Sequence, residues 1–116
     1  NTPLQALVTL NDPTFVEAAR VFAERILTQG PQEREARLAF AFKRATSRSP
    51  STPELNLLRK RFDALHQNFA KNRDDAERVV NVGQSPRNAR LDVVELATWT
   101  AMCNLLLNLD EVLTRE

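Results

Sequence analysis

Tyrosine is absent from this chain, and there are only two glycines and one each of cysteine, histidine and tryptophan in 116 residues. Two glycines are too few for a strand-rich fold, whose tight hairpins lean on that residue. A single cysteine, Cys103, forms no internal disulfide, no Cys-x-x-Cys redox pair and no Cys-x-x-Cys-His haem attachment, and it leaves the redox compartment open. Charge of one sign is missing too. Sixteen basic against fifteen acidic side chains leave +1, so there is no whole-molecule field to draw in nucleic acid or an anionic membrane. No apolar run approaches the ~20 residues of a membrane span. The richest, Leu105 to Leu107, lies between Asn104 and Asn108.

What is present is an average globular share of apolar residues, 42%, too high for a disordered chain and enough for a core without metal or disulfide support. The length suits one domain, taken here as residues 1–116. Helix starts punctuate it. Thr2-Pro3-Leu4-Gln5 is a capping box that opens a short helix to about Leu10. Asp12-Pro13 opens a second helix carrying Phe15, Ala19, Phe22 and Ile26, which Gly30-Pro31 stops. A third runs from about Glu33 to Thr46 with Ala36, Ala39, Phe40 and Phe42 as its apolar side. Thr52-Pro53-Glu54 opens the fourth, where Leu55, Leu58, Phe62, Leu65 and Phe69 alternate steps of three and four. Asp74 with Glu77 caps a short segment through Val79 and Val80 that ends at Gly83, and residues 84–90 read as a loop.

Asp92 with Glu95 caps the last helix, where Leu91 and Leu96 form a hydrophobic staple. Its Leu91, Val94, Ala97, Trp99, Met102, Leu105, Leu106 and Leu109 make it apolar around most of its circumference, which places it at the centre of the domain. The prediction is an all-α, compact bundle of five or six helices. Its core should include Phe15, Phe22, Ile26, Phe40, Leu58, Phe62, Leu65, Trp99, Met102, Leu105 and Leu106.

Residues able to carry chemistry are few. His66 has only Asp63 within one turn on its own helix, so a half-buried helix residue is the favoured reading over a general base or metal ligand. Cys103 reads as a small apolar side chain, and Trp99 as core rather than a stacking platform. Asn104 and Asn108, one turn apart, read as a buried amide pair satisfying the turn at Asn11, with a ligand-orienting pair as the second reading. Nothing shows metal-ligand spacing or a Gly-rich phosphate loop, so no catalytic residue, cofactor or metal is assigned. The least ordinary feature is the basic stretch 43–61, where Lys43, Arg44, Arg48, Arg59, Lys60 and Arg61 face Glu54 alone. Arg59, Lys60 and Arg61 point ~100° apart on a helix, so a solvated face is favoured over an anion-binding patch of Lys43, Arg44, Arg48, Arg59 and Lys60.

Two strings go beyond helix grammar. One is Thr2-Pro3-Leu4-Gln5-Ala6-Leu7 running into Leu10-Asn11-Asp12-Pro13-Thr14-Phe15. The other is Glu95-Leu96-Ala97-Thr98-Trp99-Thr100 running into Leu107-Asn108-Leu109-Asp110-Glu111. Together they resemble the C-terminal portion of a planctomycete-type domain family of unknown function, found in large bacterial proteins that often carry a cytochrome-c-like domain. Between the strings, Arg48-Ser49-Pro50 and Thr52-Pro53-Glu54-Leu55 keep the family's Arg/Pro-rich lead into a helix, while Ala45-Thr46-Ser47 departs from it. The resemblance supplies no catalytic residue. It implies an exported parent protein, periplasmic or at the cell surface.

The chain starts at Asn1 rather than Met, inside the first string, so it reads as the C-terminal fragment of a longer multidomain protein. Leu4, Leu7, Val8 and Leu10 are too many apolar side chains for a short helix to hide on one stripe. Leu4, Leu7 and Val8 are therefore assigned to contact with upstream domains of the same chain, or to self-association. The leading functional reading is a non-catalytic helical scaffold or interaction domain. The alternative is a module for an anionic polymer, an acidic or sulfated polysaccharide, bound through the basic stretch. A hydrolase site is a third reading that would need upstream sequence for most of its residues.

Overall fold

A computed structural model describes the backbone of residues 13–115 and the side chains of residues 14–108. The described chain is five helices with no strand among them: α1 (Pro13–Gln29), α2 (Arg34–Thr46), α3 (Thr52–Lys71), α4 (Arg73–Val80) and α5 (Val93–Arg115). The all-α expectation holds. The helix expected at Thr2 to Leu10, and with it the capping roles of Thr2 and Asp12, lies outside the described residues.

The last helix is the axis of the fold. α5 packs against all four others, most extensively against α1, and its residues from Leu96 to Asn104 are buried without a break. A helix buried on every side must satisfy the polar groups it takes inside. Thr98 Oγ1 donates to the Val94 carbonyl and Thr100 Oγ1 to the Leu96 carbonyl, each at 2.7 Å. The start of α5 is as predicted in part: the Asp92 carboxylate accepts from the Glu95 amide at 3.0 Å. The Glu95 side chain, however, is drawn away to another helix.

α3 follows its sequence pattern. Leu58, Phe62, Leu65 and Phe69 are buried, and Leu55 packs at the core edge. Its cap is Ser51 rather than Thr52. Ser51 Oγ accepts from the Glu54 amide at 3.3 Å while Glu54 Oε1 accepts from the Ser51 amide at 2.8 Å, a reciprocal capping box.

Elsewhere the buried face overlaps the expected one in part: Ala19 and Ile26 on α1 and Phe42 on α2 are buried as expected. On α1 the core residues are Val16, Ala19, Ala23 and Ile26, and Phe15 and Phe22 are only half-buried. Small alanines on that face let α1 lie close along α5. On α2 the buried residues are Leu38, Ala41 and Phe42. Ala36 is exposed, and Phe40 stays half-buried, packed at the edge of the core. Leu105 is likewise half-buried at the core edge, whereas Met102 and Leu106 are fully enclosed.

The breaks between helices use different devices. Gly30 ends α1 without a left-handed turn: its amide donates to the Ile26 carbonyl at 2.9 Å, and a Cβ there would press on that carbonyl and on the Phe40 ring. Ser47 ends α2 in the left-handed region, φ 67°. Asn72 serves as both the last cap of α3 and the first of α4, its side chain reaching back to Asn68. Asp74 therefore lies inside the first turn of α4 and is not the cap expected of it.

Candidate functional site

Where α2, α3 and the start of α5 meet, they leave a cleft of about 410 Å³. Its floor is aromatic. Phe62 and Trp99 have ring centroids 5.0 Å apart, and the two side chains are 4% and 0% exposed. Two guanidinium groups roof the rings. Arg34 stands 5.5 Å from the Phe62 centroid and Arg37 stands 5.7 Å from that of Trp99. The walls are charged and wet. Arg34 Nη1 donates to Asp63 Oδ1 at 2.8 Å, and His66 Nε2 lies 2.9 Å from Glu95 Oε2, both pairs roughly half-exposed.

This changes the reading of His66. Asp63 is taken by Arg34, and the partner of His66 is Glu95, a carboxylate from a different helix. Glu95 was assigned a local capping task in the sequence, and only the fold brings it to the ring. Phe62 also stacks on His66, with centroids 5.9 Å apart, so the imidazole is held from one side and one edge. No Ser, Thr, Tyr or Cys side chain lines the cleft among the described residues. Nor does any cluster of three or more His, Cys, Asp or Glu among the described residues have the spacing to hold a metal ion.

A second polar assembly, unforeseen in the sequence, pins the loop between α4 and α5 to α1. Arg20 is 1% exposed and donates to Glu24 Oε2 (2.8 Å), the Ser85 carbonyl (2.9 Å), Ser85 Oγ (2.6 Å) and the Pro86 carbonyl (3.2 Å). Glu17 receives the amides of Gln84 and Ser85 together with the Ser85 hydroxyl, and Glu24 receives the amide of Asn88 at 2.8 Å. Successive loop amides thus form a small anion nest filled by a side chain of α1. The Ser85 hydroxyl and then the two amides hold the Glu17 carboxyl below its ordinary value. Gly83, at φ 96°, turns the chain into this loop, and a Cβ there would overlap the Glu17 side chain. The sequence signal was an arginine four residues after Val16, on the face that α1 buries.

The cations of the basic stretch have different neighbours. Arg44 lies over the Phe40 ring at 5.0 Å and lines a groove with Phe22 and Ile26, while Glu35, nine positions earlier and so about 180° around α2, pairs with Arg59 at 3.4 Å. Arg44 and Arg59 therefore serve opposite flanks of one helix. Arg48 is folded over Phe42 and makes a two-pronged bond to Glu54, 2.9 and 2.7 Å. That pair, with the Ser51 amide, lowers the Glu54 carboxyl to about 2. Lys43 and Lys60 remain on the exposed surface.

Cys103 is buried, and burial alone pushes its thiol upward, as suits a small core residue. Asn108 Nδ2 donates to Asn104 Oδ1 at 2.9 Å, so the amide pair exists, while Asn11 lies outside the described residues. So do Leu4, Leu7 and Val8. No helix among the described residues is long and apolar enough to cross a membrane.

A family model described as PSD1, protein of unknown function (DUF1553), matches residues 1–62. The match takes in the first of the two resemblance strings and the Arg48 to Leu55 segment; the string from Glu95 to Glu111 lies beyond it. Neither a curated protein nor a solved structure matches the chain. More than half of the 116 residues fall within the matched region, and the chain belongs to the PSD1 family of proteins of unknown function.

Proposed function

We propose that this chain is a helical scaffold and interaction domain of a larger, exported bacterial protein, and that it works by holding neighbouring parts of that protein. The observation that carries this reading is the cleft between α2, α3 and α5. It combines an aromatic floor roofed by two guanidinium groups with a rim of charged and amide side chains, which suits a polar contact surface. The Arg20 clamp and the Arg48–Glu54 capping box support the same reading, since both spend ionic groups on fixing the shape of the bundle. Export and a cytochrome-c-like neighbour rest on the resemblance of the two sequence strings. Leu4, Leu7 and Val8 are the residues assigned to the joint with upstream sequence.

The test is to mix the chain with the adjoining segments of its parent protein and follow its thermal unfolding. Docking to the folded state raises the midpoint with partner concentration. Leu4→Glu with Leu7→Glu and Val8→Glu should remove that rise without changing the midpoint of the chain alone. A midpoint unmoved by any adjoining segment would end the proposal.

A further inference from the structure

We propose that the α2–α3–α5 cleft is a receptor for a carboxylate, presented by an acidic peptide segment, and that Arg37 is the residue that grips it. Arg34 pairs with Asp63, and Glu95 Oε2 lies at hydrogen-bond distance from His66 Nε2, which leaves Arg37 as the one arginine of the cleft without a carboxylate partner among the described residues. Arg37 is also oriented. Its Nε donates to the Pro31 carbonyl at 2.8 Å and its guanidinium lies over the Trp99 ring, so the group is fixed along one edge and one face. The edge formed by Nη1 and Nη2 makes no hydrogen bond to any described residue. Two parallel N–H donors on a pre-set guanidinium are the geometry that a carboxylate accepts in two prongs. The Trp99 indole N–H beneath it is buried and has no acceptor among the described residues.

A peptide is favoured over an acidic sugar because of how the rings are covered. A sugar is held by stacking on an open aromatic face, and Trp99 and Phe62 are 0% and 4% exposed beneath Arg37 and Arg34. What the cleft offers outward, besides the Arg34–Asp63 and His66–Glu95 pairs, is the free edge of Arg37 and the amide side chains of Gln32 and Gln67, which pair with carboxylates and peptide groups. The inference takes from the proposed function only that the cleft is a contact surface. It names a ligand chemistry that can be measured on the chain alone, so its failure and the failure of domain docking are seen separately.

The chain carries its own reporter, since Trp99 is its only tryptophan and tyrosine is absent. The experiment titrates the 116-residue chain with a capped hexaglutamate peptide, following Trp99 emission and binding heat. Hexaglutamine and an oligoglucuronate serve as parallel probes. The proposal expects saturable binding of hexaglutamate with a change in Trp99 emission, and no binding of hexaglutamine. Arg37→Gln should weaken hexaglutamate about tenfold or more, the worth of one charge-assisted pair. Arg37→Lys, which keeps the charge but loses the fork, should fall between the two. Melting curves of both variants establish that they are folded. Three results overturn the proposal: no saturation by hexaglutamate, equal affinity in folded Arg37→Gln, or oligoglucuronate binding as tightly as the peptide.

Discussion

Replacing Arg20 by methionine removes the hub of the clamp between α1 and the 83–90 loop while keeping a side chain of similar length. The loss has two parts. Four donated hydrogen bonds vanish, two of them to backbone carbonyls of Ser85 and Pro86. Those carbonyls sit in exposed residues and regain water, so they add little. The larger part is the Glu24 carboxylate, 18% exposed, which is left without its cation in a partly dry site. Breaking a buried ion pair costs about 3–5 kcal/mol, and the hydration of the loop puts this case near 3. For a domain of this size, at roughly 4 °C per kcal/mol, that is a drop of about 12 °C in melting temperature. Circular dichroism melts give the number. Hydrogen exchange gives its location, because the amides of Gln84, Ser85 and Asn88, which donate to Glu17 and Glu24, should lose protection first. A melting temperature within about two degrees of the parent, with those amides still protected, would show that the loop is held by packing and that the Arg20 network is incidental.

Gly83→Ala should destabilise by roughly 1–3 kcal/mol, measured by urea unfolding, because alanine is strained at φ 96° and its methyl meets Glu17. Acid stability should depend on Glu54. Its carboxyl lies near 2 when folded against an ordinary 4.5, so its contribution is complete above pH 4.5 and is lost as pH falls from there towards 2. Melting curves of Glu54→Gln should accordingly lose part of the pH dependence in that window and none above it. Cys103 should resist a thiol reagent in the native protein and react at once in denaturant, since its thiol is buried and pushed upward; fast native labelling would contradict its place in the core. Ser47→Gly should raise the melting temperature by a few degrees, as glycine takes the left-handed cap position of α2 at no steric cost.

Which parts of this molecule could be read from its residues follows from the range of the interactions involved. α3 was legible because its stripe from Leu55 to Phe69 is unbroken and its cap is four residues long, all local information. α5 was legible as the centre because apolar residues surround it. On α1 bulk misled: Phe15 and Phe22 are half-buried while the small Ala19 and Ala23 are fully buried, and on α2 Phe42 is buried as expected but Phe40 gives way to Leu38 and Ala41. The cleft could not be found at all. His66 and Glu95 are 29 positions apart, Arg34 and Asp63 also 29, and Glu95 carried a sufficient local explanation as a cap residue. The Arg20 clamp spans some 65 positions, and only its place on a buried face hinted that it was more than a surface helix pair.

The most direct test of the interaction role is chemical-shift mapping. Backbone and side-chain spectra of the labelled chain are recorded alone and with the adjoining segments of its parent protein. Shifts should move and saturate at Arg37, His66, Glu95 and the Trp99 indole N–H, with a second set at Leu4, Leu7 and Val8, while the α1 residues at the clamp stay still. Spectra that do not change with any adjoining segment, or changes confined to surfaces away from the cleft and the leading residues, would contradict that role.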